Sequence, residues 1–246
     1  MNSIESYVNQ PGRLLDFEGA YNVRDLGGYP AAGGRKVKWG RLFRSGDLNN
    51  LSDTDLEKMA KIPLKTFIDF RDDSEVRESP DRLPSSVERA VRLPIVIGSM
   101  KEVIESGQEP DGLVMMPWIN EKLATDFHET FARFLAMAAE EDNAPLLFHC
   151  TAGKDRTGFA AMLLLTALGV GMDLIMADYL LSTECLREKY APLVERHPYM
   201  APLVRVEPEY LEAALKVINE QYKGLDNYLA NVLKADVKRL RELYTE

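Results

Sequence analysis

Cysteine and histidine are scarce in this 246-residue chain, which holds two of the first, Cys150 and Cys185, and three of the second, His128, His149 and His197. Two cysteines make no disulfide framework. The histidines lie far apart and no CxxC or HExxH spacing occurs, so no metal centre and no cofactor are expected. Long apolar runs are missing too, which excludes a membrane-spanning helix. Residues 1–10 lack the basic start and apolar stretch of a secretory signal, and the expected compartment is the cytoplasm. Positive charge is in deficit: 30 Lys and Arg against 39 Asp and Glu give a net charge of −9. This argues against nonspecific binding to nucleic acid or to an anionic bilayer, and any affinity for phosphate must be local. No Pro-, Gly- or Ser-rich linker and no repeat divides the chain. With 46% hydrophobic residues it is expected to fold as a single domain over 1–246.

What is present is concentrated in one decapeptide, His149-Cys150-Thr151-Ala152-Gly153-Lys154-Asp155-Arg156-Thr157-Gly158. The short apolar run before it, residues 145–148, reads as a buried strand. Residues 157–168, apolar almost all round and closed by Gly169, read as a buried helix. The loop between them is an anion cradle: the backbone N–H groups of Thr151, Ala152, Gly153, Lys154 and Asp155, together with the positive end of the helix dipole, favour an oxyanion such as phosphate. A thiol facing a helix N-terminus beside a guanidinium ionises at neutral pH, which makes Cys150 a nucleophile. Arg156 offers a planar fork to two phosphate oxygens. A Walker A loop is excluded, because Lys154 is followed by Asp155 and the upstream glycine is absent.

A coarse trace gives strands at 41–44, 65–70, 90–93 and 145–149 and helices at 52–61, 126–140, 157–168 and over much of 173–246. Ser52 and Asp126 read as N-caps, Asp126 with Glu129 as a capping box. Strands alternating with helices predict an α/β fold, a central mostly parallel sheet flanked by helices on both sides, with the ligand site beyond the carboxyl ends of the strands. Residues 69–72 and 149–156 both follow such ends.

The decapeptide resembles the signature loop of bacterial cysteine-dependent protein tyrosine and dual-specificity phosphatases, in the subgroup that also acts on phosphoinositides. Further segments agree in order: residues 22–28 with Arg24, 44–46, 69–71 with Glu75, 177–180, and 209–211 followed by Tyr222. The resemblance covers roughly residues 18–232. It implies the cysteine-phosphatase fold, a phosphoprotein or phosphoinositide as substrate, and a metal-independent reaction in which Cys150 forms a thiophosphate. Asp155 is the first candidate to protonate the leaving group and Asp69 the second; Asp69 also reads as an acceptor that fixes the loop or Arg156. Arg71 and Glu75, four apart, read as a pair along a helical turn. His149 is expected to hydrogen-bond nearby backbone, and Thr157 to donate to the thiolate or cap the helix. Lys154 reads either as a contact for a second phosphate or as an exposed lysine at the loop apex.

The basic residues Arg35, Lys36, Lys38, Arg41 and Arg44 around Trp39 read as a solvated hairpin face in preference to a contact for a polyphosphorylated headgroup. Cys185 is expected on a helix beginning near Ser182. Residues 98–122 look least regular and form a candidate lid, with Met115, Met116 and Trp118 shielding the thiolate. A phosphate-binding module without turnover, or a sulfur-transfer or arsenate-reducing enzyme, would share the loop. The presence of both Cys150 and Arg156 weighs against the first, and the Arg-Thr-Gly ending against the second. Sequence alone assigns neither the natural substrate nor the oligomeric state.

Overall fold

The protein is described from a computed structural model, for residues 3–97 and 111–246. Five strands form one sheet: β1 (Arg24–Asp25), β2 (Leu42–Ser45), β3 (Thr66–Asp69), β4 (Arg89–Arg92) and β5 (Leu146–His149), in the order β1-β2-β5-β3-β4. All neighbours run parallel except β1, which pairs antiparallel with β2 at the edge. The sheet is thus mostly parallel and covered on both faces, as the alternation of elements predicts.

Period-two alternation sorts the strand side chains between two apolar clusters. Leu42, Ile68, Leu146 and Phe148 face the larger one, whereas Phe43, Phe67 and Leu147 face the smaller one with Leu51, Met59 and Leu64. Among the described residues the α-helices of five or more residues are α1 (Ile4–Val8), α2 (Asp53–Ala60), α3 (Asp73–Glu78), α4 (Gly112–Asp126), α5 (His128–Ala138), α6 (Arg156–Leu168), α7 (Met172–Arg196), α8 (Pro208–Tyr222) and α9 (Val237–Tyr244). Helix α6 is the hub of the larger cluster. Its residues are buried from Thr157 through Leu165, and it packs against β2, β5, α4, α5, α7 and α9. An all-apolar helix is stable only in such surroundings.

Gly158 lets α7 approach α6: a Cβ there would lie 2.8 Å from a ring carbon of Tyr179. The neighbouring Asp178 is thereby brought over the sheet. The carboxyl ends of the four parallel strands converge on one cavity of about 510 Å³. Asp47, Arg71, Ile97 and Cys150, which line it, follow β2, β3, β4 and β5 respectively.

Three expectations need correction. Asp126 is no N-cap: it is the last residue of α4, its carboxylate accepts from Thr125 Oγ1 at 2.6 Å and pairs with Lys122 at 3.1 Å, and Phe127 alone separates α4 from α5. The stretch read as irregular is helical from Gly112, where Asp111 caps Leu113 N, and α4 continues through Pro117; residues 98–110 of the candidate lid lie outside the described residues. Cys185 is mid-helix, because α7 starts a full thirteen residues earlier, at Met172. No helix among the described residues is long and apolar enough to cross a membrane.

Candidate active site

The decapeptide loop leaves β5 at His149 and enters α6 at Arg156, with Cys150 almost wholly buried at its base. Its carbonyls are turned away from the cavity and held there. Ala152 O and Gly153 O accept from Asn22 Nδ2 at 3.1 and 3.0 Å, Gly153 O also from Arg44 Nη2 at 2.8 Å, and Thr151 O from the Asp47 amide at 3.1 Å. Among the described residues, the amides of 151–155 serve no backbone hydrogen bond. They remain free as donors, which is the composition of an anion nest. Gly153 makes the turn possible, since its φ is +68° and a Cβ would fall 2.1 Å from Ser45 O.

Behind the loop lies a buried charge cluster. Asp178 Oδ1 pairs with Arg24 Nε at 2.9 Å, Asp178 Oδ2 with Arg44 Nη1 at 2.7 Å, and Tyr29 OH donates to Oδ1 at 3.1 Å. Arg24 also donates to the Asn22 carbonyl at 3.3 Å and to its side-chain oxygen. Burial alone would raise the Asp178 carboxyl, but Arg24 and Arg44 hold it well below the usual carboxylate range. Burial, then the charge of Arg24, lowers Arg44 to about 10. Arg24 thus sits behind the loop, bonded to Asp178 and to Asn22, whose amide holds the loop carbonyls. Arg44 does not belong to a solvated basic face: it is fully buried under Gly153.

Arg156 reaches the cavity in a fixed pose. Glu75 grips it with both oxygens, Oε2 to Nη1 at 2.6 Å and Oε1 to Nη2 at 2.7 Å, and Thr151 Oγ1 donates to Oε1. Burial would lower the Arg156 pKa, yet Glu75 and the charge of Cys150 push it up; burial would raise Glu75, yet Arg156 pulls it down. Glu75 is also the capping-box residue of α3, accepting from Asp72 N at 2.9 Å, so the helix start and the guanidinium are aligned by one carboxylate. The expected Arg71–Glu75 pair is not formed. Arg71 instead turns back to Asp69 Oδ2 at 3.0 Å, to Asp81 and to Ser79 O at 2.8 Å.

His149 lies on the opposite face of the sheet from Cys150. Its Nδ1 faces Cys150 O at 3.2 Å, as read from sequence, while Nε2 sits 3.3 Å from Asp69 and 3.5 Å from Asp81. Asp69, Asp81 and His149 bring ligand-type atoms within 4.8 Å of one another, but the Arg71 guanidinium already supplies their cation. The Asp69 carboxyl, which burial would raise, is lowered by His149 and Arg71. Asp69 does not line the cavity; Asp155 does. Asp155 Oδ2 pairs with Lys154 at 2.7 Å and its Oδ1 has no hydrogen-bond partner. Lys154 is thus not an exposed apex lysine: it is buried beside Asp155. Thr157 Oγ1 is likewise buried and unpartnered.

Sequence reasoning missed Asp47, Lys189, Tyr190 and Asp81. Asp47 lines the cavity and pairs with Lys189 at 3.0 Å; Tyr190 forms part of the wall. For Asp47 the signal was its place directly after a parallel strand. The other three come from α7 or from a connection, 33 or more positions from the loop, where no local pattern marks them. Met115, Met116 and Trp118 do line the cavity, along α4.

Glu75→Gln should lower kcat/KM on p-nitrophenyl phosphate about 10- to 100-fold through loss of the fixed Arg156 pose. Steady-state kinetics with unchanged circular dichroism would check this; wild-type rates would remove Glu75 from the site.

A family model described as a tyrosine phosphatase family matches residues 15–246. A Cupriavidus necator protein that carries the name tyrosine-protein phosphatase is 38% identical over 243 residues, covering 94% of this chain and 88% of that one. The triple specificity protein phosphatase PtpB of Mycobacterium tuberculosis is 29% identical over 281 residues, covering 93% of this chain and 98% of its own. Among solved structures, P. aeruginosa TpbA in complex with pTyr aligns at a TM-score of 0.35 and 18% identity, over 85% of this chain and 88% of that one; so distant a likeness carries no argument. The family match over nearly the whole chain and the kinship with the Cupriavidus protein agree, and the chain belongs to the tyrosine phosphatase family, as a phosphoric monoester hydrolase.

Proposed function

We propose that the protein is a cysteine-dependent, metal-independent phosphatase of phosphotyrosine-bearing proteins. The observation that carries this reading is one cavity lined together by Cys150, by Thr151, Ala152, Lys154 and Asp155 of the loop, and by the Glu75-anchored Arg156. The thiolate sulfur of Cys150 attacks phosphorus, the S–P bond forms as the P–O bond to the leaving group breaks, and Asp155 delivers its proton to the departing oxygen. Water then attacks the thiophosphate, Asp155 takes the proton, and inorganic phosphate leaves with the thiolate restored. Arg156 and the amides of Thr151, Ala152, Gly153, Lys154 and Asp155 hold the equatorial oxygens throughout. Thr157 Oγ1, buried in the first turn of α6, donates to the sulfur as it departs.

Asp155 is the acid because it faces the cavity with one oxygen unused, whereas Asp69 is committed to Arg71 and His149 and acts as a positioning residue. A phosphoinositide headgroup is a second reading, supported by Lys154 in the wall of a cavity of about 510 Å³.

Hydrolysis of p-nitrophenyl phosphate in excess EDTA is the direct test, and loss of activity on chelation would overturn the metal-free chemistry. Asp155→Asn should slow phenyl phosphate, whose leaving group needs a proton, about 100-fold, and p-nitrophenyl phosphate far less. If Asp69→Asn gives that leaving-group dependence instead, the acid is Asp69.

A further inference from the structure

A second hollow, of about 440 Å³, runs along α7 on the far side of Tyr190, and the proposed phosphatase chemistry does not use it. Tyr190 lines both spaces, and the consecutive residues Leu203 and Val204 line one each. The floor and walls are Leu186, Ala191, Val194, Ala201 and Val204, with Arg187, Glu195 and Arg205 at the edge. The walls are fixed independently of any occupant. Thr183 Oγ1 donates to Val206 O at 3.1 Å and accepts from Val206 N at 3.0 Å, tying the segment after residue 204 to α7; Tyr210 OH donates to Pro202 O at 3.1 Å and holds the turn from α8. A preformed apolar hollow that shares a wall with the substrate cavity loses little on ordering when it is filled.

We infer that this hollow is a specificity subsite, which takes an apolar side chain of leucine or phenylalanine size flanking the phosphorylated residue of a peptide. The inference rests on the phosphatase reading above and names the substrate feature that reading leaves open. Through Tyr190 the hollow adjoins the phosphate cavity, and in a peptide the residues next to the phosphorylated one are the nearest side chains that could fill it. The edge carries both signs of charge, with Arg187 and Arg205 paired to Glu184 and Glu207. Such a rim suits a peptide backbone with mixed side chains. The chain's net charge of −9 opposes the anionic bilayer that the acyl chains of a phosphoinositide would require.

The test compares phosphotyrosyl peptides carrying a single leucine, at each of the two positions on either side, with the all-alanine parent. At one position leucine should raise kcat/KM about 10-fold, the discrimination an apolar pocket gives for one side chain. Ala191→Trp, which fills the hollow, and Val194→Asp, which charges it, should each abolish that preference. Both should leave p-nitrophenyl phosphate hydrolysis at the wild-type rate. Equal rates for leucine and alanine at every position, or a preference that survives both variants, would overturn the subsite while the phosphatase chemistry stands. Variants that impair hydrolysis of phosphoinositide vesicles and not of peptides would overturn it in favour of an acyl chain. Wild-type protein inert toward p-nitrophenyl phosphate would remove the phosphatase reading itself, and the subsite with it.

Discussion

Cys150→Ser should lower kcat on p-nitrophenyl phosphate by at least about 10⁴-fold, the scale seen when the nucleophile of a covalent mechanism is removed. A serine hydroxyl at the base of the loop stays protonated at neutral pH, and oxygen so protonated is a poor nucleophile toward a phosphate dianion. The cradle itself is untouched by the change. Asn22, Arg44 and the Asp47 amide still hold the loop carbonyls, and Glu75 still holds Arg156. Inorganic phosphate should therefore bind the variant with an affinity near that of wild type, measured by titration calorimetry. This split between lost turnover and kept binding separates a nucleophile from a structural cysteine, whose loss would weaken both. Turnover near the wild-type rate in the serine variant would sink the thiophosphate pathway. Fresh wild-type protein that binds phosphate and never turns over would favour a binding module.

Asp178→Ala should destabilise the fold by about 3–5 kcal/mol, the usual cost of removing one partner from a buried ion pair. Arg24 and Arg44, both inaccessible, would be left facing each other across the vacated site. Urea unfolding would measure it, with Asp126→Ala, whose partner Lys122 is half in solvent, as a control that should scarcely move the midpoint. A loss below about 1 kcal/mol would show that the cluster relaxes on its own. Acid should reproduce part of the effect in the wild type. The Asp178 carboxyl is depressed in the folded state by Arg24 and Arg44, against about 3.9 for an unfolded aspartate. Its contribution is complete above that unfolded value and declines as the pH falls below it toward the folded one. Stability of the Asp178→Ala protein should accordingly depend less steeply on pH below about 4 than that of wild type.

How these two residues could be found differs sharply. Cys150 sits in a run where an apolar tetrapeptide, a small-residue loop and an apolar helix follow one another, so strand, cradle and helix were all legible from local pattern. Strands β2 to β5 fall within a residue or two of their expected places for the same reason. Asp178 and Arg24 are separated by 154 positions and Glu75 and Arg156 by 81, and no periodicity links such partners. Local rules also compete with one another. An i,i+4 spacing made Arg71 and Glu75 look like partners, but Glu75 is drawn to the guanidinium of Arg156, and Arg71 turns to Asp69 and Asp81. Asp126 looked like a helix start because the pattern could not show that α4 already occupied the residues before it. The short helix α3 went unread although Asp72 and Glu75 carry a capping-box spacing, visible in the sequence alone.

The cations around the cavity come with their own counter-ions: Arg156 with Glu75, Lys154 with Asp155, and Lys189 with Asp47. A phosphate arriving there is met by the free loop amides and by the N–H groups that these carboxylates leave unused, so the dianion enters a site whose cations keep their own partners. The internal neutralisation also leaves little far field to draw substrate in, on a chain that is itself acidic, and the encounter is governed by shape and short-range hydrogen bonding more than by ionic strength.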